Sequence, residues 1–219
     1  MPMTRTPNMV GAESQVRHSL PGQAHAATLG MWIFLVTETL FVGALFAAYL
    51  LVRTVHPQGF ILGSRETDIV LGSINTAVLL TSSLAMALAV DRLRADMAGA
   101  AARWMVATAL LGLVFLGIKG VEYLLDWQHG LVPGPHFRPG GDQAPGMELF
   151  FFLYFLMTGV HALHLFIGIA LVAIFAVMLR HGRFGAGLSA PVENLGLYWH
   201  FVDVVWIFLF PLLYLVHRT

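Results

Sequence analysis

Five long apolar runs, separated by short polar connections rich in helix breakers, set the organisation of this chain. Each run reaches the ~20 residues that crossing a ~30 Å hydrocarbon core requires. They lie at about 28–52, 68–90, 104–125, 148–179 and 195–217. Hydrocarbon offers no partner to a backbone N–H or C=O, so each run is predicted to be a helix. The expected fold is therefore all-α, a polytopic transmembrane bundle of five helices. The fourth run would be about 48 Å long at ~1.5 Å per residue, so it must tilt or protrude. Residues 1–27 read as a polar N-terminal segment and residues 28–219 as the five-helix domain. Among the connections, Arg53–Thr67 carries Pro57 and Gly59, and Asp91–Arg103 alternates in charge. The stretch from Asp126 to Met147 holds Pro133, Pro135, Pro139 and Pro145 among five glycines, the signature of an irregular surface loop. No fixed-period repeat is visible.

Composition confirms the class. The 219 residues are 58% hydrophobic and 11% charged, against roughly 45–50% and about 25% in soluble domains. A formal net charge of zero gives no basic field to hold nucleic acid. With no cysteine, disulfides, thiolate zinc sites and iron–sulfur ligation are excluded; a redox metal would need His, Met or carboxylate ligands. The N-terminal segment, with Arg17, His18 and His25, lacks an apolar core before a small-residue cleavage site. The first span is therefore expected to act as its own insertion signal. Basic residues set the orientation. An inward N-terminus puts Arg5, Arg17, Arg92, Arg94, Arg103, Arg180 and Arg183 inside, and Arg53, Arg65, Arg138 and Arg218 outside. Seven against four predicts N-in and C-out.

Candidate chemistry sits in the spans. Glu38 is the sole ionisable group of WIFLVTETLFVGALFAAYLLV, where a charge costs roughly 2.5–3.5 kcal/mol on insertion scales. Lys119 and Glu122 stand three apart near the end of the third span, an ion pair that neutralises both. They read either as an interfacial pair, with Tyr123 and Trp127 as belt aromatics, or as a functional one. His161 and His164 share a face of the fourth span, and His200 and Asp203 a face of the fifth. Glu38, His161, His164, His200 and Asp203 together could form a metal site, an interhelical hydrogen-bonding set or a proton relay. Asn75, Thr76, Thr81, Ser82 and Ser83 read as glue between helices. Met31, Met86, Met105, Met157 and Met178 are scattered packing residues rather than a copper-binding stripe.

Five segments in order, one per span, give the chain a family likeness from about His25 onward. They are WIFLVTETLF around Glu38, NTAVLLTSS from Asn75, the Glu122–Tyr123 pair, FFLYFLMTGVHALHLFIG through His161 and His164, and YWHFVDVVWIFLF through His200 and Asp203. The chain resembles subunit III of the haem–copper terminal oxidases. The resemblance implies a non-catalytic subunit with no haem, copper or other metal of its own, those centres lying in partner subunits. Partners would be subunits I and II and a small fourth subunit, in the inner (cytoplasmic) membrane of the cell. It implies structural phospholipid in an interhelical cleft, with Asn75, Glu122, His161, His164, His200 and Asp203 as cleft or interhelical contacts. Glu38 would be the carbodiimide-reactive carboxylate near the proton-uptake entry of the catalytic subunit. The implied role is to sustain proton uptake and protect that subunit from turnover-linked inactivation.

Departures qualify the match. The longer relatives have seven helices, and the two lacking here form one wall of the lipid cleft; in short bacterial relatives the catalytic subunit often supplies extra helices. Thr37 replaces a common Ser but keeps its hydroxyl. Quinol-oxidising relatives often carry Asp at the Glu38 position, so Glu leans toward the cytochrome c-oxidising branch. A quinol oxidase subunit or an accessory subunit of a nitric oxide reductase remains an alternative. A small transporter fits less well, since inverted repeats and matching broken helices are missing.

Overall fold

The computed structural model describes residues 9–181 and 189–215, with side chains from residue 26 onward and none for Ser189. The expectations for Arg5, Arg17, His18, His25, Arg183 and Arg218, and for the last two residues of the fifth span, lie outside what it describes. Among the described residues the chain is wholly helical: α1 Met9–Val55, α2 Pro57–Glu66, α3 Ile69–Arg94, α4 Ala98–His129, α5 Ala144–Arg180 and α6 Ser189–Tyr214. All but α2 contain a stretch long and apolar enough to cross a membrane. The N-terminal segment read as a separate polar piece is helical from Met9 and continuous with the first span.

The connections follow local chemistry. Asp68 caps α3, its carboxylate accepting from the N–H groups of Val70 at 2.8 Å and Leu71 at 3.1 Å. Gly130 ends α4 with φ 72°, and its N–H returns to the carbonyls of Asp126 and Trp127. The 53–67 connection holds a helix that the breaker count hid: Pro57 sits in the first turn of α2, where its missing N–H is harmless. Gly59 lets α2 press on α5, since a Cβ there would lie 2.6 Å from the Gly146 backbone. Residues 130–143 form the expected irregular loop.

Helices α3, α4, α5 and α6 close a ring in which each packs on two neighbours, while α1 lies outside it against the α5/α6 edge. Only 11% of the apolar window of α1 is buried, against 33–44% for the other four spans. Tyr49 anchors it, donating to the Leu212 carbonyl at 2.7 Å and packing edge-on against Phe60. The centre of the ring is aromatic: Phe115, Trp199, Trp206, Tyr154 and Tyr214 are almost fully enclosed. Met86, Met105 and Met157 are core residues, as expected.

Candidate functional site

The five groups that sequence spacing allowed as one site are divided by the fold. Glu38, His161 and His164 line a small cavity where α1 meets α5 and α6. His200 and Asp203 lie on the side of α6 that faces α3. Among the described residues no group of three or more His, Cys, Asp or Glu could hold a metal ion.

At the first location His164 Nε2 stands 3.2 Å from Glu38 Oε2. His164 Nδ1 lies 2.9 Å from the Val160 carbonyl, one turn back on α5. A carbonyl only accepts, so Nδ1 carries the hydrogen there and Nε2 is the ring atom turned to the Glu38 carboxyl. Both side chains are about one-fifth exposed, so the contact is not sealed off from its surroundings. The cavity beside them, about 20 Å³, has room for one water. From His164 an apolar cleft of about 410 Å³ continues along α1, walled by Met31, Phe34, Phe175, Leu195 and Tyr198 with Asn194 as its polar residue. Tyr198 braces it by donating to the His164 carbonyl at 2.8 Å.

The second location is the Lys119–Glu122 pair, enclosed within the bundle: each residue is 3% exposed. Lys119 Nζ donates to Glu122 Oε2 at 3.0 Å, Tyr154 Oη at 3.0 Å and Tyr214 Oη at 2.8 Å. Both tyrosines donate in turn to Glu122 Oε1, at 2.9 and 2.7 Å. All three ammonium hydrogens and both carboxylate oxygens are therefore engaged, the condition under which a buried pair is tolerated. Four rings surround the ammonium within 4.8–5.6 Å, those of Tyr123, Tyr154, Trp206 and Tyr214. Tyr123 faces inward to Thr158 at 2.6 Å, whereas Trp127 is exposed as a belt aromatic would be. Sequence reading missed Tyr154 and Tyr214, which carried no signal before their helices were assembled. It also assigned Asp126 to the loop, although its spacing of four from Glu122 places it on the same buried face.

The third location is the seam between α3 and α6. Trp206 Nε1 donates to Thr76 at 3.0 Å, Trp199 Nε1 to Ser82 at 3.2 Å, and Ser83 pairs with His200 Nδ1 at 2.7 Å. These contacts bear out the reading of Thr76, Ser82 and Ser83 as interhelical glue. Thr81 bonds its own helix instead. Asn75, completely buried, has no partner for either amide atom, and Asp203, whose polar neighbour across the seam is Ser83, makes no hydrogen bond within 3.5 Å.

The sequence is similar to known proteins along most of its length. The sequence profile of the family described as cytochrome c oxidase subunit III matches residues 146–217. The chain is 37% identical over 191 residues to cytochrome c oxidase subunit 3 of Thermostichus vulcanus, covering 87% of each. It is 32% identical over 206 residues to cytochrome c oxidase subunit 3 of Synechocystis, covering 90% of this chain and 81% of that one. It is 33% identical over 193 residues to a probable quinol oxidase subunit 3 of Staphylococcus epidermidis, covering 86% and 88%.

Proposed function

Since the chain belongs to the haem–copper oxidase subunit III family, we propose that it is the non-catalytic third subunit of a proton-pumping cytochrome c oxidase in the cytoplasmic membrane, holding lipid and sustaining proton uptake by the catalytic subunit. The observation that carries this reading is the Glu38–His164 pair at the mouth of an apolar cleft. A carboxyl group that shares a proton with an imidazole can pass it on without either partner becoming an isolated charge in hydrocarbon. The largely apolar lining of the cleft suits an acyl chain, and Asn194 supplies a polar group for a head group. The exposed flank of α1, with Leu29, Ile33, Val36 and Leu40, leaves a face for a partner's helices. The arginine distribution supports an inward N-terminus. Subunits I and II, with a small fourth subunit, are the partners in this reading. The glutamate at position 38 favours cytochrome c as donor; the quinol oxidase relative keeps a quinol donor as the second reading.

The test is purification of the tagged chain in mild detergent, with an optical redox spectrum and partner identification by mass. A haem a subunit with a copper-bearing partner is the expected result. Haem b without that partner would move the chain to the quinol or nitric oxide reductase branch, and a colourless chain with no partner would overturn the proposal. In the assembled complex, Glu38→Gln should leave composition unchanged and slow turnover or shorten its active life. Unchanged turnover and lifetime would remove Glu38 from the function.

A further inference from the structure

Buried polar groups without partners are rare in folded proteins, and each calls for an explanation. Among the described residues four side chains, one on each helix of the ring, carry a buried polar atom without a hydrogen-bond partner: both amide atoms of Asn75 on α3, one carboxyl oxygen of Asp126 on α4, Nε2 of His161 on α5 and both oxygens of Asp203 on α6. All are at least nine-tenths buried. None belongs to the Glu38–His164 contact, although the His161 side chain also borders its cavity.

Their placement follows a line. Along the α3/α6 seam Ser82 and Ser83 meet Trp199 and His200, while Thr76, some two turns earlier on α3, meets Trp206, some two turns later on α6, so the helices run antiparallel. Asp203 therefore falls opposite Leu79, between the Ser83 and Thr76 levels. Asn75 adjoins Thr76 at the Trp206 level, and the His161 ring lies 5.1 Å from the Trp206 ring. One end of this line opens into a groove lined by Asp91, Arg94, Glu193 and His200, with the Arg94–Glu193 ion pair at 2.8 Å in its wall. The other end reaches Phe115, packed on Trp206 at 4.7 Å, and one turn further on α4 the Lys119 cluster. Asp126 lies two turns beyond Lys119 on the same helix. From Glu193 to Tyr214 the line covers about 30 Å at ~1.5 Å per residue, the depth of a hydrocarbon core.

We propose that the α3/α6 seam is a hydrated proton half-channel, entered at the Arg94–Glu193 groove, running past His200, Ser83, Asp203 and Asn75 to His161, and closed by Lys119. Its ligand is water and the protons water carries. The unpartnered atoms supply the two to four polar contacts that hold each internal water, and the hydroxyl, carboxyl and imidazole groups between them can each accept one proton while releasing another. Lys119 is the lock. Its three hydrogens are all committed to Glu122, Tyr154 and Tyr214, so it offers the water line neither a free donor nor an acceptor. An open path here would dissipate a proton gradient. The lock explains why a fully buried lysine is held by three partners at the far end of the line.

Two experiments test this. X-ray radiolytic footprinting of the wild-type protein labels side chains that touch bound water. Trp206, 1% exposed, should be labelled well above the equally buried Tyr49 and Phe60, which lie off the line; equal labelling would overturn the proposal. The second measures potassium/valinomycin-driven proton flux into liposomes holding the protein as purified, alone or with its partners. Wild type should match protein-free liposomes, and Lys119→Met should raise flux about tenfold. Adding Asp203→Ala should return it to baseline. A folded Lys119→Met protein as tight as wild type, or a leak indifferent to Asp203→Ala, would overturn the route. Neither readout depends on the chain's being an oxidase subunit.

Discussion

Replacing Tyr214 with Phe removes one oxygen atom from the tightest polar cluster in the bundle, and the structure sets how much that should cost. The Tyr214 hydroxyl donates to Glu122 Oε1 at 2.7 Å and accepts from Lys119 at 2.8 Å. Its ring contacts with Phe210, Trp206 and Tyr154 survive in phenylalanine, so the change reports on hydrogen bonding alone. Bonds to charged groups contribute about 1.5–3 kcal/mol in folded proteins. Interhelical bonds within membranes average nearer 0.6 kcal/mol, with a maximum of about 1.7. Here the acceptor is a carboxylate 3% exposed, so the upper end applies: about 1.5–2 kcal/mol. Tyr154→Phe should cost a similar amount, because Tyr154 serves the same Oε1 at 2.9 Å. The double variant is the decisive one. Either tyrosine alone still gives Oε1 a donor, whereas without both it has none, because Lys119 engages Oε2. The double change should therefore exceed the sum of the singles by about 1 kcal/mol, in the sense that shared partners couple. The assay is reversible unfolding in mixed micelles, read by tryptophan fluorescence. Single variants within 0.5 kcal/mol of wild type, or strict additivity, would refute the claim that this cluster is a closed, fully used network.

Two further outcomes test the packing. Gly59→Ala sets a methyl 2.6 Å from the Gly146 backbone, which cannot rotate away, and should destabilise by about 1–3 kcal/mol as α2 is pushed off α5; an unchanged midpoint in the same unfolding assay would show that α2 does not depend on this contact. Gly130→Ala combines a left-handed φ of 72° with a Cβ 2.5 Å from the Arg138 stem. It should cost about 1–2 kcal/mol and loosen the 130–143 loop, read as faster proteolysis there than in wild type.

Much of this protein was legible in one dimension. Apolar length alone fixed five membrane helices, because a bilayer leaves the backbone no alternative. The spans observed at 69–94, 98–129, 144–180 and 190–214 enclose or closely track those expected, and differ mainly by helical turns that continue into polar sequence. Hydropathy is blind to such turns, since water and lipid alike tolerate a helix end. The family likeness was also sequence-borne, residing in short segments around Glu38, His161–His164 and His200–Asp203. What sequence could not decide was partnership across helices. Spacing put His161 beside His164 and His200 beside Asp203, yet in each pair one residue meets a side chain of another helix at hydrogen-bond distance and the other has a polar atom left over: His164 faces Glu38, and His200 faces Ser83. Residues three apart on a helix differ in direction by some 60°, enough to aim one at a neighbouring helix and the other elsewhere. The tyrosines that hold Lys119 were invisible for the same reason: Tyr154 and Tyr214 are 35 and 95 positions away from it in the chain. Sequence supplied the charged groups and the requirement that they be neutralised; only the closing of α4, α5 and α6 around them determined by what.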